Sequence, residues 1–158
     1  MGAVGSAPGF PAEFEAALAR LRYALAEAYG VPDEEPERVA AAIRAGLTFA
    51  SHNPTTVLVL TSGALSQDPL WRARYRDLVG RTARVLARCR AARPENARLP
   101  AITERALVGS LATLVTHRLD TDRAEELPAL APQAVELALT PYLGADEARR
   151  VANASNLS

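Results

Sequence analysis

Proline, glycine and asparagine recur along this chain and divide it into short segments, and these helix-breaking positions limit the folds that the chain can adopt. Within most segments the apolar residues recur at spacings of three and four, which is the pattern of an amphipathic helix. The first segment ends at Gly30, with Pro32 just beyond, as expected at a helix C-terminus. Its apolar positions are Phe10, Phe14, Leu18, Leu21, Leu25 and Ala28.

A strand is conceivable only in the apolar run from Val57 to Leu60. Periodicity alone cannot separate a buried strand from a buried helix in so short a run. Since no second segment could pair with it as a strand, we interpret the run as helical. The sequence therefore predicts an all-α fold, a helical bundle of about seven helices.

Capping residues set the expected helix boundaries. Asp68 is suited to cap a helix through its side chain, and Gly144 is suited to end one. Two early prolines in the sixth segment predict a kink or a late start near Ala131. The predicted helices cover residues 11–30, 33–52, 55–65, 69–92, 101–119, 123–143 and 145–154. We expect a flexible arm over residues 1–9, a single domain over 10–154 and a tail over 155–158.

Length and composition narrow the class of protein. A chain of 158 residues can bury a core without disulfides or metal, and its single cysteine, Cys89, cannot form an internal disulfide. Eighteen basic residues, all arginine, balance eighteen acidic ones, whereas a self-sufficient nucleic-acid binder usually carries a basic excess. No apolar run approaches the roughly 20 residues that cross a bilayer. We therefore expect a cytoplasmic protein without a membrane partner.

No arrangement of residues indicates catalysis. The two histidines, His52 and His117, are far apart and lack cysteine or carboxylate companions at metal-ligand spacing. Glycine-rich phosphate loops and nucleophile elbows are also missing from the sequence. We therefore expect neither an enzyme nor a cofactor or metal site, and we assign His52 to a helix end.

A group of arginines in the fourth segment admits two interpretations. These side chains could contact an anion or a nucleic acid. Because they are distributed around one helix and balanced by acids elsewhere, we interpret them as solvent-exposed surface. The group consists of Arg81, Arg84, Arg88, Arg90 and Arg93.

The segment 101–119 is the most informative of the chain, because it has no charged residue between Arg105 and Arg118. On a helical wheel the bulky residues fill one broad arc, and only small residues and His117 occupy the other. A helix without charges on any side needs cover on both sides. We therefore predict that one side of this helix faces a second subunit.

From Phe14 to Val151 the order of segments resembles the C-terminal half of TetR/AcrR-family transcriptional regulators. Residues 104–119 (ERALVGSLATLVTHRL) and 124–132 (AEELPALAP) are similar to the paired helices that form an intermolecular four-helix bundle in that family. Residues 141–148 (PYLGADEA) are similar to the ending of many members. A further match is FASHNP at 49–54 followed by DPLWRAR at 68–74.

The resemblance implies a homodimer and a small-molecule pocket among the third, fourth and fifth helices. The implied interface residues are Leu107, Leu111, Leu114, His117, Leu130, Ala134, Ala138 and Tyr142. The implied pocket residues are Phe49, Leu60, Trp71, Tyr75, Val79 and Leu111, which suit an apolar or aromatic ligand.

One feature of the family is missing from this sequence, namely the N-terminal helix-turn-helix that reads DNA. The acidic stretch 32–36 stands where a DNA-facing element should be neutral or basic. We therefore expect the effector-binding and dimerisation part of a TetR-like regulator, whose ligand allosterically controls DNA binding through a reader outside this chain. The alternative is a stand-alone helical protein that binds a small molecule or acts as a scaffold, without a role at DNA.

Overall fold

The computed structural model describes residues 12–62 and 66–154, and most of these residues lie in helices. Seven α-helices follow one another: α1 (Ala12–Gly30), α2 (Glu35–His52), α3 (Pro54–Thr61), α4 (Pro69–Ala91), α5 (Thr103–Asp120), α6 (Ala131–Leu143) and α7 (Ala145–Asn153). Short 3-10 turns at Pro94–Arg98, Ala124–Glu126 and Pro128–Leu130 join the later helices. The described residues contain no strand, and the prediction of an all-α fold is confirmed.

The predicted helix boundaries agree with the observed ones to within about three residues, except where they reach outside the described range and at the start of the sixth helix, where the range 123–143 begins eight residues before α6. The Asp68 carboxylate caps α4 by accepting a hydrogen bond from the Leu70 amide at 2.8 Å. The run from Val57 to Leu60 lies in α3 and is helical. The arm, Phe10, the predicted end of the third helix near residue 65 and the tail lie outside the described residues.

The two prolines that follow α5 delay the start of α6. Residues 124–130 form two 3-10 turns, and α6 begins only at Ala131, so the predicted late start is confirmed. Proline is tolerated at the start of a helix or in a short turn, where a backbone N–H would have no acceptor. It cannot lie in the interior of a longer helix, where that N–H would be hydrogen-bonded. Gly144 then separates α6 from α7 with φ +82° and ψ 162°, a conformation essentially restricted to glycine.

Helix α6 forms the centre of the molecule. Its side chains Val135, Ala138 and Leu139 have no exposed surface, and they pack with buried residues of α2, α4, α5 and α7. A second cluster joins the C-terminal halves of α2 and α5 to α3 and the start of α6. A third cluster lies under α1 and contains Phe14, Leu18, Leu21 and Leu60. Within the described residues no helix is long and apolar enough to cross a membrane.

Candidate functional site

An open groove of about 760 Å³ runs between α4 and α5. Tyr75 is the lining residue from α4, and the remaining lining residues, most of them small, come from α5. Near the C-terminal end of α5 the groove is lined by the imidazole of His117 and the guanidinium group of Arg118. The α5 lining residues are Ala106, Gly109, Ser110, Thr113, Leu114, His117 and Arg118.

The small residues of α5 lie along one side of the helix together with His117. We call this side the small-residue face, and it consists of Ala106, Gly109, Ser110, Thr113 and His117. The Ser110 hydroxyl donates to the Ala106 carbonyl and the Thr113 hydroxyl to the Gly109 carbonyl, both at 2.9 Å. These hydroxyl protons are thus used within the helix itself. A Cβ added at Gly109 would meet no atom within 4 Å. The chain therefore leaves this face uncovered.

The bulky arc of α5 packs inward, as the helical wheel predicts. Leu107, Val108 and Leu119 are buried, and Leu111 is half-buried against the two largest clusters. The opposite arc is exposed, with only Gly109 half-buried. The structure thus covers one side of this uncharged helix and leaves the other to solvent.

The residues of the implied dimer interface fall into two groups. Leu107, Ala134, Ala138 and Tyr142 are enclosed by the chain itself, with at most 8% of their surface exposed. Helices of the same chain pack over these four side chains. The remaining four keep exposed surface and stay candidates for an interface: Leu111, Leu114, His117 and Leu130.

Three of the implied pocket residues converge on one cluster. Leu60 is buried with the apolar residues of α1, and Phe49 and Trp71 pack against the same cluster. The Trp71 ring contacts the Phe14 ring edge-on, with centroids 5.0 Å apart. These side chains therefore pack against α1, a contact that the resemblance did not include.

The other three implied pocket residues lie elsewhere. Val79 packs against the central cluster and Leu111 against both the central and the second cluster. Tyr75, one turn after Trp71, lines the open groove. The six residues are consequently divided among the core, the α1 cluster and the groove, and Tyr75 is the one that lines the groove.

A partly buried ion pair joins α4 to α5. The Arg90 guanidinium binds both oxygens of the Glu104 carboxylate, with Nε at 2.8 Å from one and Nη2 at 3.0 Å from the other. Arg90 also donates to the carbonyls of Asn96, Leu99 and Pro100, so it fixes the turn between the two helices. The Tyr142 hydroxyl of α6 completes the set by donating to Glu104 at 3.1 Å.

These contacts shift the protonation equilibria of the groups involved. The hydrogen bonds from Arg90 hold the pKa of the Glu104 carboxyl below its usual value. Burial, together with the adjacent Glu104 charge, raises the pKa of Tyr142, so its hydroxyl stays protonated and acts as a donor. Burial also raises the pKa of the Cys89 thiol to about 12, which makes it an unreactive core residue. The ion pair is fully hydrogen-bonded and has a structural function.

Sequence reasoning treated Arg90 as one of a group of surface arginines, and this interpretation is wrong for that residue. Arg90 and Glu104 are fourteen positions apart, and neither has a signal in the sequence that distinguishes it from exposed neighbours. Arg93 also has a specific partner, since it forms an ion pair with Glu147 of α7 at 2.7 Å. The turn between α4 and α5 brings Arg90 to Glu104, and the packing of α7 brings Glu147 to Arg93.

The two histidines have different surroundings. His52 is exposed at the end of α2, where its Nδ1 lies 2.9 Å from the Thr48 carbonyl, in keeping with its assignment to a helix end. His117 is exposed at the end of the groove. Within residues 12–62 and 66–154, no group of histidine, cysteine and carboxylate side chains could hold a metal ion.

Comparisons of this chain with family models, with curated proteins and with solved structures found no match. The site is therefore interpreted from its own residues.

Proposed function

We propose that this chain is the dimerisation and effector-binding domain of a TetR-like transcriptional regulator. The observation that carries the proposal is the small-residue face of α5, which is uncharged from Ala106 to His117 and left open by its own chain. A second copy would cover this face with the same face of its own, which is the geometry of a twofold-symmetric interface.

Small side chains favour this partner because they let two helices approach closely, and helix axes at such contacts lie about 8–10 Å apart. α5 is eighteen residues long, so its length is about 27 Å. A strip of that length and about 10 Å wide is well below the roughly 800 Å² per subunit of a standard interface. The adjoining surface of α4, including Tyr75 across the groove, must therefore contribute to the interface.

The effector would bind beside α4, where Phe49, Leu60 and Trp71 meet the apolar residues of α1. This surrounding is apolar and aromatic, so it suits a ligand of the same character. Tyr75 is one turn further along α4 and borders the groove. The ligand would control DNA binding only if it binds two arrangements of the helices with unequal affinity.

The dimer is tested by measuring molar mass in solution for matched glycine variants. A Cβ added at Gly109 on α5 or at Gly80 on α4 would meet no atom within 4 Å, so each position has room for a side chain. Gly80 lies about 140° around α4 from Tyr75, so Gly80→Arg is outside the proposed interface and Gly109→Arg is within it. We expect sedimentation equilibrium to give a dimer for the wild type and for Gly80→Arg, and a monomer for Gly109→Arg. A wild-type monomer at about 100 μM, or equal behaviour of the two variants, contradicts this interface.

Effector binding is tested with the fluorescence of Trp71, which is the single tryptophan of the chain. Saturable quenching by naphthalene or a similar aromatic compound is expected if the cluster beside α1 opens to a ligand. The same compound should raise the free energy of unfolding by about 2.7 kcal/mol at a hundredfold excess over its Kd. Quenching that never saturates, without a change in stability, would contradict the effector site while leaving the dimer untouched.

A further inference from the structure

His117 is the single titratable residue of the small-residue face, and it lies at the C-terminal end of that face. Its side chain is exposed, and within residues 12–62 and 66–154 its imidazole forms no ion pair and no hydrogen bond. Tyr75 of α4 and Arg118 of α5 line the groove beside it. The Arg118 guanidinium lies 2.7 Å from the Glu126 carboxylate, so its charge is already paired. The imidazole is therefore free to take up a proton.

The position of His117 on the face decides what it would meet in the dimer proposed above. The face begins at Ala106 and ends at His117, so its midpoint lies between positions 111 and 112. A twofold axis through this midpoint pairs two copies of α5 in antiparallel orientation. Ser110 then lies opposite Thr113 of the second copy, and Ala106 lies opposite its His117. The largest side chain of the face thus meets one of the smallest.

Charge at the ends of α5 favours this antiparallel orientation. Asp120 is exposed at the C-terminal end of the helix and lies within about 60° of His117 around the helix axis. In the antiparallel pair its carboxylate lies beside the N-terminal end of the other α5, whose unsatisfied N–H groups carry partial positive charge. A parallel pair would instead place the two Arg105 side chains at the same end.

A neutral His117 fits this interface. Side chains on a helix lean towards its N-terminus, so the imidazole extends towards its own Thr113 and hence towards Ser110 of the second copy. The Ser110 hydroxyl already donates its proton to the Ala106 carbonyl at 2.9 Å, which leaves its oxygen able to accept. The N–H of the neutral imidazole therefore has an acceptor in the dimer, and a buried polar group costs little once it is hydrogen-bonded.

A protonated His117 does not fit the same place. Its charge would leave water for a contact with Ala106, and burying an unpaired charge is costly. The nearest charges of the second copy oppose it, because Arg105 and the N–H groups in the first turn of α5 are positive. Glu104 of that turn faces inward and is only 7% exposed. Asp120 accompanies His117 in the free chain and in the dimer alike, so it does not offset the cost.

We propose that protonation of His117 separates the two copies, so that the interface is a pH-sensitive switch. This regulation rests on the dimer proposed above. A histidine side chain in water takes up its proton near pH 6.5. Below that pH the free chain binds more protons than the dimer, and mass action favours the free chain. The dimer is therefore complete above about pH 6.5 and is lost as the pH falls below that value.

Sedimentation equilibrium of the 158-residue chain at about pH 7.5 and about pH 5.5 measures the Kd of the dimer at both values. Proton uptake by each of the two copies weakens the dimer by about tenfold over this range, so the Kd should rise by about a hundredfold. His117→Gln cannot take up this proton, and its two Kd values should agree within about threefold. Circular dichroism at both pH values checks that the helices remain folded.

The chain offers a matched control, because its other histidine lies outside the small-residue face. His52 is exposed at the end of α2, and His52→Gln removes the same kind of titratable group. This variant should keep the rise in Kd of about a hundredfold between the two pH values. The two variants therefore separate protonation in the interface from protonation elsewhere.

Three results would overturn the proposal. A wild-type dimer with the same Kd at both pH values removes the switch and leaves the dimer standing. An equal rise in the Kd of His117→Gln also removes it, because another group would then be responsible. A wild-type monomer at about pH 7.5 and about 100 μM contradicts the dimer itself, and the switch with it.

Discussion

Helices α5 and α6 share a pattern of residue types but have different surroundings. Both are poor in charge, and both carry bulky residues on one arc and small residues on another. Six of the thirteen residues of α6 are buried, against four of the eighteen of α5. A helix with few charges thus needs cover, but its sequence does not say whether the cover comes from the same chain. Helices of the same chain cover most of α6, whereas the described part of the chain leaves the small-residue face of α5 uncovered.

The largest effect is expected where the cover is complete. Leu139 of α6 has no exposed surface, whereas Leu137 on the same helix is 41% exposed. Leu139→Ala removes buried methyl groups and leaves a cavity, so the free energy of unfolding should fall by about 2–5 kcal/mol. Leu137→Ala should lower it by about 0.5 kcal/mol or less. Urea denaturation of both variants measures the difference.

Comparable losses from the two leucine variants would mean that α6 is not enclosed as the structure places it. A larger loss from Leu137→Ala in a concentrated sample would have a different meaning. It would indicate that a second copy covers the exposed side of α6 as well, and the two cases are separated by repeating the measurement at low concentration.

A smaller effect is expected at the N-terminal end of α5, where Glu104 is paired with Arg90. Glu104→Gln removes the charge that the Arg90 guanidinium binds at two points. Hydrogen bonds to charged groups contribute about 1.5–3 kcal/mol, and we expect the free energy of unfolding to fall by that order. The exposed pair of Glu136 and Arg149 serves as the control, and Glu136→Gln should lower it by about 0.5 kcal/mol.

The same pair gives a pH dependence of defined sign. The pKa of Glu104 is lower in the folded protein than in the unfolded chain. Its contribution to stability is therefore complete above the unfolded value of about 4.3 and is lost as the pH falls through the folded pKa. Urea midpoints of wild type and Glu104→Gln should converge on acidification. A gap that stays constant from pH 7 to pH 3 would show that the carboxylate charge is not the source of the effect.

Local signals predicted the helices well, because their causes lie within a few residues of each boundary. Asp68 caps α4 through its own side chain, and the prolines near Pro128 delay α6 by lacking a backbone donor. The inward arc of α5 also followed from spacing alone, since Leu107 and Leu111 must lie on one face of any helix.

The candidate site was harder to predict because it depends on contacts between distant residues. Tyr142 meets Glu104 across 38 positions, and Phe14 meets Trp71 only after α1 and α4 come together. No spacing rule links such pairs. The burial of Ala134 and Ala138 likewise depends on side chains from several other helices, which no spacing on α6 itself can indicate.

The smallest expected effect concerns the open face itself. Gly80 and Gly109 lie within α4 and α5, and a Cβ at either position would meet no atom within 4 Å. Alanine is more favourable than glycine in a helix by about 0.8–1.0 kcal/mol, so each Gly→Ala variant should stabilise an isolated chain by that amount. Urea denaturation at low protein concentration should show this gain for both variants.

Raising the protein concentration then separates the two helices. If the small-residue face packs against a second copy, the added methyl group of Gly109→Ala lies between closely spaced helices and weakens the dimer. The gain of Gly109→Ala should therefore shrink or reverse as the concentration rises, while that of Gly80→Ala stays constant. Equal gains at every concentration would place the second copy elsewhere, and α5 would then be a helix whose open side is simply hydrated.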